Sequence, residues 1–89
     1  MSNRHPNPII ARLAAKAGGI PQLARLAGRD PSVMWQLHQG MRRVPPAWAE
    51  GLAEASQLLD DPMTPGQICP GYEFTSGPAG LYWRPAPTT

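Results

Sequence analysis

The chain of 89 residues is long enough for one small domain, and its 12 prolines and 9 glycines assign much of it to turns. The single cysteine excludes an intrachain disulfide framework and a zinc site built on cysteines. No apolar run is long enough for a transmembrane helix, and the first residues lack the hydrophobic stretch of a secretory signal. We therefore expect a soluble cytoplasmic protein without a membrane partner.

Charge is divided unevenly along the chain. Residues 1–45 hold seven basic side chains and one acidic side chain, whereas residues 46–89 hold one basic and five acidic side chains. A basic half on a compact domain is typical of proteins that bind the phosphate backbone of nucleic acids. Small arginine-rich proteins without that function have similar compositions, so charge alone leaves both interpretations open.

Four helices are predicted from capping residues and apolar spacing. Asn7 and Asp30 each precede a proline, which pairs an N-cap residue with a favoured first helical residue. Thr64 precedes a proline as well and predicts one further turn, whereas the Gly- and Pro-rich sequence from Gly71 onward predicts no helix. The predicted helices cover Pro8–Ala17, Pro21–Ala27, Pro31–Gln39 and Pro46–Leu59.

The second and third predicted helices have the spacing of a helix-turn-helix. Ala24 provides the small residue that two steeply crossing helices need where they touch, and Gly28 tolerates the positive φ of the turn. Met34 and Leu37 then lie at i, i+3 and are expected to pack the third helix on the second. Ordinary helical corners share these offsets, so the pattern favours DNA binding without requiring it.

Several short motifs follow one another in an order that is typical of a known family. They are Gly18-Gly19, Leu23–Gly28, Val44–Pro46 and Met63–Pro70. With these motifs, residues 9–72 resemble the Cro/YdaS-type helix-turn-helix proteins of phages and prophages. The resemblance implies an all-α, Cro/lambda-repressor-like fold of four to five short helices over residues 1–72, followed by a non-helical tail over residues 73–89. It also implies a small transcriptional repressor in the bacterial cytoplasm that binds operator DNA as a homodimer.

The exterior of the third helix provides the candidates for reading bases, because the second helix of a helix-turn-helix enters the major groove. Gln36 is the best of them, since an amide both donates to and accepts from an adenine edge. Trp35 could contact thymine methyl groups or sugars, but it also fits a position in the hydrophobic core or a contact with another protein. The base-contact candidates are Ser32, Trp35, Gln36 and Gln39.

Basic residues around this helix are candidate phosphate contacts. No Lys or Arg lies between Asp30 and Met41, so the helix itself lacks a guanine-reading arginine. For each basic residue the alternative is a solvated surface charge. The phosphate-contact candidates are Lys16, Arg25, Arg29, Arg42 and Arg43, of which the Arg42-Arg43 pair is the best placed.

The sequence contains no recognisable pattern of catalytic or metal-binding residues. His5 and His38 have no second ligand at i+3 or i+4, and the only cysteine is distant along the chain. Glu50 and Glu54 lie at i, i+4, which indicates a solvated helix face rather than an acid–base site. We expect no catalytic residue, no metal and no cofactor, and hence a protein that is not an enzyme.

The tail contains large apolar residues in a segment that is too rich in Gly and Pro to fold alone. Because their exposure is costly, we expect them to pack on the parent domain, on a second subunit or on another protein. Residues 73–75 and 81–83 fit either a small hairpin or a strand exchanged across a dimer. The candidate contact residues are Tyr72, Phe74, Leu81, Tyr82 and Trp83.

A second function is compatible with the same residues. In this alternative the chain is a phage-encoded module that binds and inhibits a host or toxin protein through an apolar surface. The segment Pro31–Trp35 favours it, because few of its side chains are suited to reading bases. The surface would combine Met34, Trp35, Met41, Trp48 and the aromatic residues of the tail.

Overall fold

The computed structural model describes residues 6–87, in which a group of short helices precedes a two-stranded hairpin. The elements in chain order are α1 (Pro8–Ala17), α2 (Ile20–Ala27), α3 (Pro31–His38), a 3-10 turn (Pro46–Trp48), α4 (Ala49–Leu58), α5 (Pro65–Ile68), β1 (Tyr72–Gly77) and β2 (Gly80–Pro85). Every helix among these residues is too short or too polar to cross a membrane.

Side-chain caps set the starts of α1, α3 and α5, as predicted. Asn7 and Asp30 each accept hydrogen bonds from two backbone N–H groups of the first helical turn. Thr64 and Gln67 cap α5 reciprocally, since each side chain binds the backbone N–H of the other residue. The fourth predicted helix differs, because its first three residues form a 3-10 turn before α4 begins.

The hydrophobic core lies among the helices. Met34 and Leu37 are both fully buried, which confirms their predicted inward orientation. Burial of a side chain of this size contributes about 1.5–3 kcal/mol relative to its exposure, so this pair fixes which side of α3 faces the interior. The other large apolar side chains with essentially no exposure are Ile10, Leu13, Leu23, Leu52 and Ile68.

The all-α fold class expected from the sequence is wrong, because β1 and β2 form an antiparallel sheet and the protein is mixed α/β. That class rested on the helices predicted from capping and apolar spacing and on the family resemblance, which ends at residue 72, where the sheet begins. The strands pair Glu73 with Arg84 and Phe74 with Trp83, and Pro78-Ala79 connects them. Their aromatic residues favour a pleated strand, and β1 packs against α5. The tail is therefore a hairpin, which was one of its two expected forms.

Candidate nucleic-acid interface

The connection between α2 and α3 has the tight turn that the sequence predicts. Gly28 adopts a left-handed conformation with φ of 68° and ends α2. The backbone N–H of Arg29 then donates to the carbonyl of Ala24 at 2.9 Å, and the Ala24 side chain is fully buried. Asp30 caps α3 directly afterwards. Only three residues separate the two helices, so their relative orientation is closely constrained.

The 3-10 turn and α4 support this connection from the outside. The Arg29 guanidinium donates to the carbonyl of Ala47 at 2.8 Å and lies 5.3 Å from the centre of the Trp48 ring. Gly51 approaches α2 so closely that a Cβ on it would lie 2.8 Å from the carbonyl oxygen of Ala27. Arg29, expected to contact phosphate, thus also links the turn between α2 and α3 to the 3-10 turn before α4.

The predicted base-contact residues lie along one side of α3, which we call the reading face (Ser32, Trp35, Gln36 and Gln39). Their spacing of i, i+3, i+4 and i+7 places them in one stripe of a helix. Ser32 is exposed and Gln36 is half-buried. Trp35 is 49% exposed, so its side chain does not belong to the hydrophobic core, which was one of its expected positions. Gln39 lies just after α3, and its amide nitrogen is 3.0 Å from Nδ1 of His38.

Arg42, predicted to contact phosphate beside the third helix, contacts the reading face itself. Gly40, with φ of 74°, turns the chain back after α3. The backbone N–H of Met41 then donates to the carbonyl of Gln36 at 3.0 Å. The Arg42 guanidinium donates to Oε1 of Gln36 at 3.3 Å. Arg42 and Gln36 are six positions apart, which is not a spacing that brings two side chains together on a helix, so the sequence did not predict this contact.

The basic side chains differ in how far acidic residues compensate their charge. Asp61, which is nearly buried, accepts a hydrogen bond from Arg12 at 2.5 Å and lies 4.0 Å from Nζ of Lys16. Arg84 pairs with Glu73 across the hairpin at 2.9 Å. Lys16 is therefore partly neutralised at a carboxylate, although it was a candidate phosphate contact. Within residues 6–87, four arginines have no acidic partner within 4.0 Å: Arg25, Arg29, Arg42 and Arg43.

The tail aromatics divide into an inner and an outer group. Tyr72 and Phe74 are half-buried, with ring centres 6.5 Å apart, and Leu81 is half-buried too. Tyr82 and Trp83 remain 52% and 45% exposed. The strand register places Trp83 on the same face as Phe74 and Tyr82 on the opposite face, so the hairpin has one large exposed aromatic side chain on each face.

The surroundings of the cysteine give no sign of a reactive site. The Cys69 thiol donates to the carbonyl of Val44 at 3.1 Å, and burial raises the pKa of the thiol above its ordinary value. A cleft of about 530 Å³ runs beside it. Among the described residues, no group of three His, Cys, Asp or Glu side chains is arranged for a metal ion, and His5 lies outside them.

Comparisons with known proteins add no relative. No protein-family model matches the chain, and searches of curated proteins and of solved structures also find no match. The resemblance to Cro/YdaS-type proteins therefore depends on the sequence motifs alone and stays a prediction.

Proposed function

We propose that the protein binds double-stranded DNA through α3 and represses transcription at an operator. The observation that carries the proposal is the reading face, on which Ser32 and Trp35 are exposed and Gln36 is half-buried. It lies on the second helix of a tight helix-turn-helix and contacts Arg42, which has no acidic partner in the described chain. In such a motif the second helix enters the major groove. Uncompensated arginines supply the attraction to phosphates that dominates affinity.

The roles of individual residues follow from where their side chains lie. Ser32 and Gln36 reach base edges from the first two turns of α3, and Trp35 makes an apolar contact with thymine methyl groups or sugars. Arg25 and Arg43 are exposed and contact phosphates beside the groove. Arg29 supports the turn through Ala47 and contributes its charge to the same surface.

We propose further that the operator is bound by a homodimer. Trp83 supports this proposal, because it extends the apolar face that Phe74 shares with it, and a second copy on that face would remove this exposed side chain from water. A dimer also doubles the number of phosphate and base contacts and reads a site with two-fold symmetry. Size-exclusion chromatography with light scattering should give the mass of a dimer, and Trp83→Ser should shift it toward a monomer.

The test of DNA binding begins with duplexes enriched from a random library by the full chain. Fluorescence anisotropy on the enriched duplex should show binding in the nanomolar range, with log Kd rising steeply as log salt increases. Arg43→Ala should reduce the magnitude of that slope by about 1. Arg84→Ala is the matched control, because Arg84 is paired with Glu73 on the hairpin and should leave the slope unchanged. Absence of enrichment and of binding at low salt would contradict the proposal.

One observation favours the alternative of a protein-binding module. Met34, which was expected in this surface, is fully buried and does not contribute to it, whereas Trp35 and Met41 are 49% and 45% exposed and the backbone of Met41 is bonded to α3. Two large apolar side chains at this end of α3 fit a docking surface for a host or toxin protein. Trp35→Ala would then abolish that complex. In the DNA-binding proposal the same substitution changes affinity for duplexes instead.

A further inference from the structure

We propose that Arg42 reads a guanine in the bound DNA and that Gln36 is its positioning residue. The inference rests on the proposed DNA-binding function and deepens it by naming a base. It assigns to Arg42 a base contact in place of the phosphate contact expected from the sequence, and to Gln36 a positioning role in place of the direct base contact given above. It also supplies the guanine-reading arginine that α3 itself lacks.

The backbone after α3 brings Arg42 to the middle of the reading face. The left-handed Gly40 reverses the chain, and the hydrogen bond from Met41 N–H to the Gln36 carbonyl holds the reversed segment against the last turn of α3. The bond from Nη1 of Arg42 to Oε1 of Gln36 places the guanidinium on the reading face.

The hydrogen-bonding groups of this pair match guanine better than adenine. Adenine presents one acceptor and one donor in the major groove, so a glutamine that reads it needs its own carbonyl oxygen. In the structure that oxygen of Gln36 accepts from Arg42, which leaves it one lone pair for a base. A guanidinium has five N–H donors, and one contact to Gln36 leaves a fork for the two acceptors of guanine, O6 and N7.

The immediate surroundings leave the Arg42 fork available. Arg42 is exposed, and within residues 6–87 no carboxylate lies within 4.0 Å of it. Gln36 is half-buried, so its amide is more restricted than a fully exposed side chain. A guanidinium held at one nitrogen loses less conformational freedom on binding a base than a free arginine does.

The experiment measures binding of the full chain and its variants to every single-base change of the enriched duplex, at several salt concentrations. For the unmodified chain, one guanine per half-site should be required, with about a 5- to 150-fold loss of affinity when it is replaced. Arg42→Ala should abolish this preference and bring the preferred duplex down to the affinity of the replaced ones. Arg42→Lys should keep the salt slope and lose part of the preference, because lysine has the charge without the fork.

Two further variants separate positioning from charge. Gln36→Ala should weaken the guanine preference without changing the salt slope, whereas Gln36→Glu should retain the preference, because a carboxylate oxygen still accepts from Arg42. Arg43→Ala is the matched control for the neighbouring charge. It should weaken binding to all sequences equally and reduce the salt slope by about 1. Circular dichroism confirms that each variant is folded.

The outcomes distinguish this inference from the function on which it rests. If Arg42→Ala behaves like Arg43→Ala, Arg42 is a phosphate contact; the inference is then wrong and DNA binding stands. A preserved guanine preference in Gln36→Ala would overturn the positioning role. If the unmodified chain binds no duplex at low salt, both the proposed function and the inference fail.

Discussion

Replacement of Gly51 by alanine is expected to destabilise the protein, against the usual effect of this substitution in a helix. Helix propensity alone favours alanine by about 1 kcal/mol. In α4, however, the added Cβ would lie 2.8 Å from the carbonyl oxygen of Ala27. That oxygen belongs to the backbone of α2, so relief of the overlap requires the two helices to separate. Overpacking of this kind costs roughly 1–3 kcal/mol, which leaves a net loss of up to about 2 kcal/mol.

Thermal unfolding followed by circular dichroism measures this effect. The melting temperature of Gly51→Ala should fall by roughly 4–8 °C for each kcal/mol lost. Gly66→Ala is the matched control, because the nearest atom to a Cβ there is Thr64 Oγ1 at 4.0 Å; this variant should be unchanged or more stable. If Gly51→Ala raises the melting temperature as Gly66→Ala does, the close approach of α4 to α2 is refuted.

Three further predictions concern single contacts. Arg29→Ala should lower the free energy of unfolding by about 1–2 kcal/mol, because it removes the contacts to Ala47 and Trp48; Arg29→Lys should recover only part of it in urea titrations, and full recovery would contradict the role of the guanidinium. Asp61→Asn should lower the free energy of unfolding by about 1 kcal/mol in the same assay, because it removes the ion pair with Arg12; the loss is small since the Arg12 side chain is 58% exposed and solvent screens its charge. An unchanged free energy of unfolding would contradict a stabilising role for this ion pair. Burial raises the pKa of the Cys69 thiol above 9.0, so its contribution to stability is complete below pH 9.0 and is lost as the pH rises through the raised value. Iodoacetamide should therefore label native Cys69 far more slowly than the urea-unfolded chain, and equal rates would show an accessible thiolate.

Local signals in the sequence were sufficient for the starts of α1, α3 and α5 and for the interior side of α3, but not for the 3-10 turn that precedes α4. Asn7 and Asp30 provide a side-chain acceptor next to a proline, and this chemistry acts within three residues, so it is readable without any tertiary contact. Met34 and Leu37 are the apolar pair of α3 at helical spacing, and both are fully buried. The exposed positions of the reading face follow from the same periodicity.

Contacts between distant segments could not be predicted in this way. Arg29 and Trp48 are nineteen positions apart along the chain, and their contact depends on how the 3-10 turn meets the connection after α2. The role of Gly51 is invisible in the sequence, where a glycine inside a helix indicates only a loss of propensity. The sequence left two forms of the tail undecided, a hairpin and a strand exchanged across a dimer, because short strands in a Gly- and Pro-rich tail are stable only against a packing surface. In the structure α5 provides that surface.

The arrangement of carboxylates explains why a small excess of positive charge is concentrated at one surface. Asp61 neutralises Arg12 and lies beside Lys16, and Glu73 neutralises Arg84. These contacts remove charge from α1 and from the hairpin. Asp30 is used as the cap of α3, where its side chain accepts backbone N–H groups instead of an arginine. Within residues 6–87 no carboxylate lies within 4.0 Å of Arg42 or Arg43 beside the reading face, so a chain with a net charge of only +2 still has uncompensated positive charge at that end of α3.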